Sequence, residues 1–85
     1  MKVYLLLEYI TGTGDVQHEF INVTSRTEQE KQTLINNFIA DLCDDGHQGF
    51  KGKDYTVDFS TFEIADTVTI NGNLHVSLIY GVGTR

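Results

Sequence analysis

Apolar and polar positions along the chain fall into three kinds of run, and each predicts a different element. In residues 2–10, Val3, Leu5, Leu7 and Tyr9 alternate with Tyr4, Leu6 and Ile10. Alternation at period two predicts a strand, and apolar residues in both phases place it in the interior of a sheet. Thr11-Gly12-Thr13-Gly14-Asp15 has the composition of a turn. Residues 16–24 return as a second strand, with Phe20, Ile21 and Val23 expected in the core.

The pattern then changes to helical period. Leu34, Ile35, Phe38, Ile39, Leu42 and Cys43 recur at i, i+1, i+4, i+5, i+8 and i+9, which is one apolar stripe. A helix over about 27–45 follows. Its start is marked twice at capping-box spacing, by Ser25 with Glu28 and by Thr27 with Glu30. Gly46 stands where a left-handed C-terminal cap is expected. The acids of the first turn, Glu28 and Glu30, suit the helix dipole, whereas Asp41, Asp44 and Asp45 in the last turn oppose it.

After a Gly-rich segment at 46–53, GHQGFKGK, alternation resumes. Tyr55, Val57 and Phe59 make 54–64 strand-like, with a phase shift to Phe62 and Ile64 that implies a bulge or bend near Ser60-Thr61. The last pair of strands is expected at 62–70 and 74–82. A two-residue Asn71-Gly72 turn would pair Val68 with His75 and set the apolar residues of the two strands on opposite faces. A three-residue loop, Asn71-Gly72-Asn73, pairs Ile70 with Leu74, Val68 with Val76 and Ile64 with Tyr80 on one face, and is preferred; it sets Asp66 opposite Leu78. Strand 74–82 lacks Pro and Lys, so it is expected either inside the sheet or at a dimer edge. The expected fold class is α+β: an antiparallel four- to five-stranded sheet with one amphipathic helix packed on one face, in the order β-β-α-β-β. The other face is expected to be open and rich in Thr, Ser, Asp and Glu.

Size and composition narrow this only modestly. Eighty-five residues make a single domain, 1–85, that buries roughly 60–65% of its unfolded surface. The one cysteine, Cys43, forms no internal disulfide, which fits a reducing, cytoplasmic setting. The apolar run at the N-terminus is short and broken by Glu8, so it reads neither as a signal peptide nor as a membrane span.

Charge changes the picture more. Twelve acids against six bases give a formal charge of −6. Between 54 and 84, Asp54, Asp58, Glu63 and Asp66 stand without a single Lys or Arg. Such a surface repels nucleic acid and membrane phosphates and favours basic partners.

Candidate chemistry is sparse. His18, His47 and His75 lie in three different elements without metal-ligand spacing, so no metal and no cofactor are expected. Cys43 with His47, four residues on, is a weak nucleophile pair because Cys43 shares the apolar stripe. The 46–53 loop follows a helix C-terminus, where the dipole is negative, and so is badly placed to cradle a phosphate.

The expectation is therefore a non-enzyme: a small acidic binding protein that blocks a basic, nucleic-acid-handling protein partner. Its contacts are expected at Asp41, Asp44, Asp45, Asp54, Asp58, Glu63 and Asp66. Direct nucleic-acid binding is not expected. The profile, though no particular motif, looks like that of many phage or mobile-element proteins that inhibit host enzymes or defence complexes. Two alternatives stand beside it: a module that self-associates through a sheet edge, including as a homodimer, and a small ligand-binding or enzyme subunit using the 46–53 loop.

Overall fold

The computed structural model describes residues 2–51, 55–62, 67–70 and 72–80, apart from the Gln48 side chain. It contains β1 (Val3–Ile10), β2 (Val16–Asn22), α1 (Glu28–Asp44), β3 (Thr67–Ile70) and β4 (Leu74–Tyr80), with short 3-10 turns at Gln48–Phe50 and Phe59–Thr61. The strands form one four-stranded sheet in the order β2-β1-β4-β3, antiparallel at every pairing. With α1 packed on it, this is the expected α+β arrangement. β4 lies inside the sheet, paired with β1 and β3, so the edges are β2 and β3.

Strand parity decides what is buried. Leu5, Leu7, Tyr9, Leu74, Val76 and Leu78 point to the side of α1 and are buried, with Ile70 of β3 beside them. The helix adds Ile35, Phe38, Ile39 and Leu42, and Val23, Phe50, Val57 and Phe59 from the connecting segments complete this core. Leu34 and Cys43, on the flank of the stripe, are half-buried. Each fully buried Leu, Ile or Phe contributes about 1.5–3 kcal/mol relative to exposure, which is what offsets the entropy of ordering so short a chain.

Both helix ends are closed by local bonds. The Thr27–Glu30 pair forms the capping box: Glu30 N–H donates to the Thr27 hydroxyl at 3.1 Å, and Thr27 N–H donates to the Glu30 carboxylate at 3.0 Å. At the other end Gly46 has φ +88°. His47 N–H bonds to the Leu42 carbonyl, and Gly46 N–H to the Cys43 carbonyl, each at 3.0 Å. That is the Schellman arrangement, which glycine favours because it has no Cβ to clash in the left-handed region.

The β3–β4 loop takes the three-residue form: Ile70 pairs with Leu74 and Val68 with Val76, and Gly72 has φ +73°. The expected pairings of Ile64 with Tyr80 and of Asp66 with Leu78 lie outside the described residues.

Three expectations are corrected. Residues 55–62 form no strand: the backbone runs extended to Asp58 and then turns in the 3-10 helix at Phe59–Thr61. The Asp58 carboxylate caps that turn by accepting from Ser60 N–H at 3.0 Å, which produces the phase shift without a bulge. Phe20 is not in the core. β2 pairs Leu6 with Phe20, on the face away from α1, and Phe20 is 54% exposed. Nor are the described residues of that open face rich in acids. They are Tyr4, Leu6, Glu8 and Ile10 of β1, Val16, His18, Phe20 and Asn22 of β2, His75, Ser77 and Ile79 of β4, and Thr67 and Thr69 of β3.

Candidate binding surfaces

Of the seven carboxylates expected to form a site, four lie among the described residues, and Asp58 stands apart from the other three. Asp41, Asp44 and Asp45 come together: at spacings of three and four residues they share one side of the C-terminal turn of α1. All three are exposed, the last turn holds no basic residue, and none makes an ion pair among the described residues. The helix dipole puts partial negative charge at this end, which favours cations there over carboxylates.

Asp58 is at the other end. Phe59, next to it, lies beneath the Lys31 ammonium, 5.6 Å from ring centre to Nζ. Lys31 is in the first turn of α1, so roughly 20 Å of helix separates it from Asp44 at the rise per residue of an α-helix. The Asp58 carboxylate is also engaged by Ser60, through both N–H and hydroxyl. Asp54, Glu63 and Asp66 lie outside the described residues.

Gln32 is what holds the 55–57 segment to the helix. Its side-chain Nε2 donates to the Tyr55 carbonyl, and its Oε1 accepts from Val57 N–H at 2.8 Å. The amide thereby acts as a one-residue partner strand for a segment that has no sheet partner among the described residues. Between this segment and β3 lies a groove of about 320 Å³, lined by Val57, Asp58, Phe62 and Val68 among others.

The Gly-rich segment is a structural anchor as far as Lys51. Phe50 is fully buried and packs edge-on against Tyr9 at 5.3 Å and Tyr55 at 5.6 Å. Tyr55 Oη donates to the Gly49 carbonyl at 3.2 Å. His47 sets its ring against Tyr9 at 4.7 Å. Sequence reasoning missed Phe50 and Gln32. An isolated Phe between glycines carries no period, and Gln32 lies outside the apolar stripe.

The open face is divided into bands. At one end Tyr4 packs on Phe20, ring centres 4.7 Å apart, beside Leu6 and Ile79. Next comes a row across the whole sheet, His18–Glu8–His75–Thr69, in which the Thr69 hydroxyl and His75 Nδ1 are 3.1 Å apart. Beyond it are Ile10 and Val16, 38% and 50% exposed. Among the described residues no group of three His, Cys, Asp or Glu side chains is arranged to hold a metal ion, and no helix is long and apolar enough to cross a membrane.

β2 is only partly covered by the described residues. Of its helix-side residues, Gln17 and Ile21 are half-buried, Ile21 against the core, and Glu19 is exposed, because α1 packs against β1.

The chain matches no protein-family model, and comparisons with curated proteins and with solved structures find no match.

Proposed function

We propose that the protein is a non-catalytic binding protein that attaches to a basic protein surface through the C-terminal end of α1. The observation that carries this reading is the group Asp41, Asp44 and Asp45: exposed, without ion pairs among the described residues, and set where the helix's own dipole disfavours them. A basic groove would relieve that local repulsion and gain steered, salt-sensitive association. Where the groove normally takes nucleic-acid phosphate, the carboxylates would compete for it and the outcome would be inhibition. The other acids contribute less in this reading. Asp58 is remote and engaged in capping, so among the described acids this reading centres the contact on the helix end.

The test is a titration against a basic protein taken from the gene's genomic neighbourhood, at low and high salt. Asp44→Lys with Asp45→Lys should abolish binding while leaving the far-UV circular dichroism unchanged. Binding that ignores both salt and the double reversal would overturn the proposal.

A second reading, a self-associating assembly module, draws support from the uncovered edge of β2.

A further inference from the structure

In an antiparallel ladder, alternate residues of a strand direct N–H and C=O to one neighbour, and the intervening residues direct theirs the other way. Val23 N–H bonds to the Val3 carbonyl and Thr11 N–H to the Asp15 carbonyl. These bonds fix the odd-numbered residues of β2 as those bonded to β1. Val16, His18, Phe20 and Asn22 therefore aim their N–H and C=O groups outward, and no described residue bonds to them. The strand is seven residues long and contains no Lys and no Pro; its one carboxylate, Glu19, lies on the α1 side. Natural sheets usually guard such an edge with a charge, a proline, a bulge or a cover. The opposite edge differs: β3 has four residues, of which only Thr67 and Thr69 aim outward.

We propose that this edge pairs with β2 of a second copy of the chain, antiparallel about a two-fold axis at His18, joining two four-stranded sheets into one. The inference rests on the assembly reading and is independent of the acidic helix end.

Self-complementarity selects both the occupant and the register. Outward bonding puts the two-fold axis at a residue and not between residues, and three such positions pair three or more of the four outward-bonding residues: His18, Glu19 and Phe20. The Glu19 register sets two carboxylates directly opposite each other, which is destabilising. The Phe20 register sets Glu19 opposite Ile21 of the second copy. The His18 register pairs Val16 with Phe20, the two most exposed large apolar side chains among the described residues, on each side of the axis. It also sets Gln17 opposite Glu19, where amide can donate to carboxylate. The formal charge of −6 on each copy opposes association at long range, so added salt should strengthen this dimer.

The decisive variant is His18→Pro. The N–H it removes points outward, so the ladder to β1 stays complete and the open face keeps Tyr4, Leu6 and Phe20; edge strands tolerate proline in this position. Sedimentation equilibrium over a range of concentrations should show a monomer–dimer equilibrium for the wild-type chain, tighter in high salt. His18→Pro should weaken it by about tenfold or more, because both bonds at the axis are lost. If His18→Pro does not fold, Phe20→Lys serves instead, since it sets a charge against Val16 of the second copy.

On a Cys43→Ser background, His18→Cys should cross-link with oxidised glutathione. Residues facing each other at a bonded pair are about 5.5 Å apart, within disulfide reach. Glu19→Cys and Phe20→Cys should not cross-link.

A wild-type chain that stays monomeric at every concentration and salt overturns the proposal and leaves the edge to a strand from another protein. A dimer untouched by His18→Pro, or cross-linking at 19 or 20 in place of 18, overturns it as well. Loss of dimerisation with partner binding intact, or the reverse, separates this inference from the acidic-end proposal.

Discussion

On β1, Leu5 and Leu7 are completely buried under α1, while Leu6 between them is only half-buried on a face that no described residue covers. The same contrast holds for two phenylalanines. Phe38 on the helix is 5% exposed and Phe20 on β2 is 54% exposed. The side toward α1 holds the fold. The side away from it, the β2 edge and the acidic end of α1 contribute little burial, and the last two are the surfaces proposed to meet partners. Composition does not separate the two; parity does, because one step along a strand moves a side chain to the other face.

The largest expected effect is on the covered side. Phe38→Ala should cost about 3–5 kcal/mol in urea denaturation, through lost burial and the cavity left behind, enough to threaten the folding of so small a domain. Phe20→Ala, the same change on the other side, should cost about 0.5–1.5 kcal/mol, the worth of its packing on Tyr4. Equal costs would break the comparison.

Gln32→Ala should cost about 1–3 kcal/mol by the same assay, because it strips Val57 N–H and the Tyr55 carbonyl of their partner. Little change would mean that the 55–57 segment is not held through this amide.

Gly72→Ala should cost about 1 kcal/mol. No neighbour lies where a Cβ would stand, so the cost is that of left-handed backbone alone. A much larger loss would show that the loop also sets the strand register.

The smallest effect is at the helix start. The Glu30 carboxyl is held below its ordinary value, chiefly by the bond it accepts from Thr27 N–H, with burial opposing and the Thr27 side chain and Arg26 assisting. A lowered carboxyl pKa contributes stability above the ordinary value and loses it as pH falls through the lowered one. The melting temperature of the wild-type chain should therefore fall slightly on acidification below the usual glutamate range, and Glu30→Gln should remove that part of the decline.

Much of this architecture was legible in the residues. The stripe from Leu34 to Cys43, the Thr27–Glu30 cap, the Gly46 terminus and the three-residue β3–β4 loop all depend on local spacing or parity, which sequence records. What escaped was set by tertiary contact. Phe20 and Ile21 are both apolar, and only the pairing with β1 decides which one faces the helix. Tyr55, Val57 and Phe59 alternate as a strand would, but Gln32 and the Asp58 cap hold them as an extended segment and a turn. The candidate site was legible least. Carboxylates adjacent in sequence stayed together at the helix end, while Asp58, remote in sequence from them, proved remote in space.

The most direct test of the contrast between the covered and the open side is amide hydrogen exchange along β2, resolved by residue in dilute and concentrated solution. Gln17, Glu19 and Ile21, bonded to β1, should be protected in both. Val16, His18 and Phe20 should exchange rapidly when dilute and gain protection when concentrated, while Asn22, beyond the stretch paired in the His18 register, should stay unprotected in both. Protection of Val16, His18 and Phe20 in the dilute monomer, or their rapid exchange at every concentration, would contradict an edge left free for a second copy.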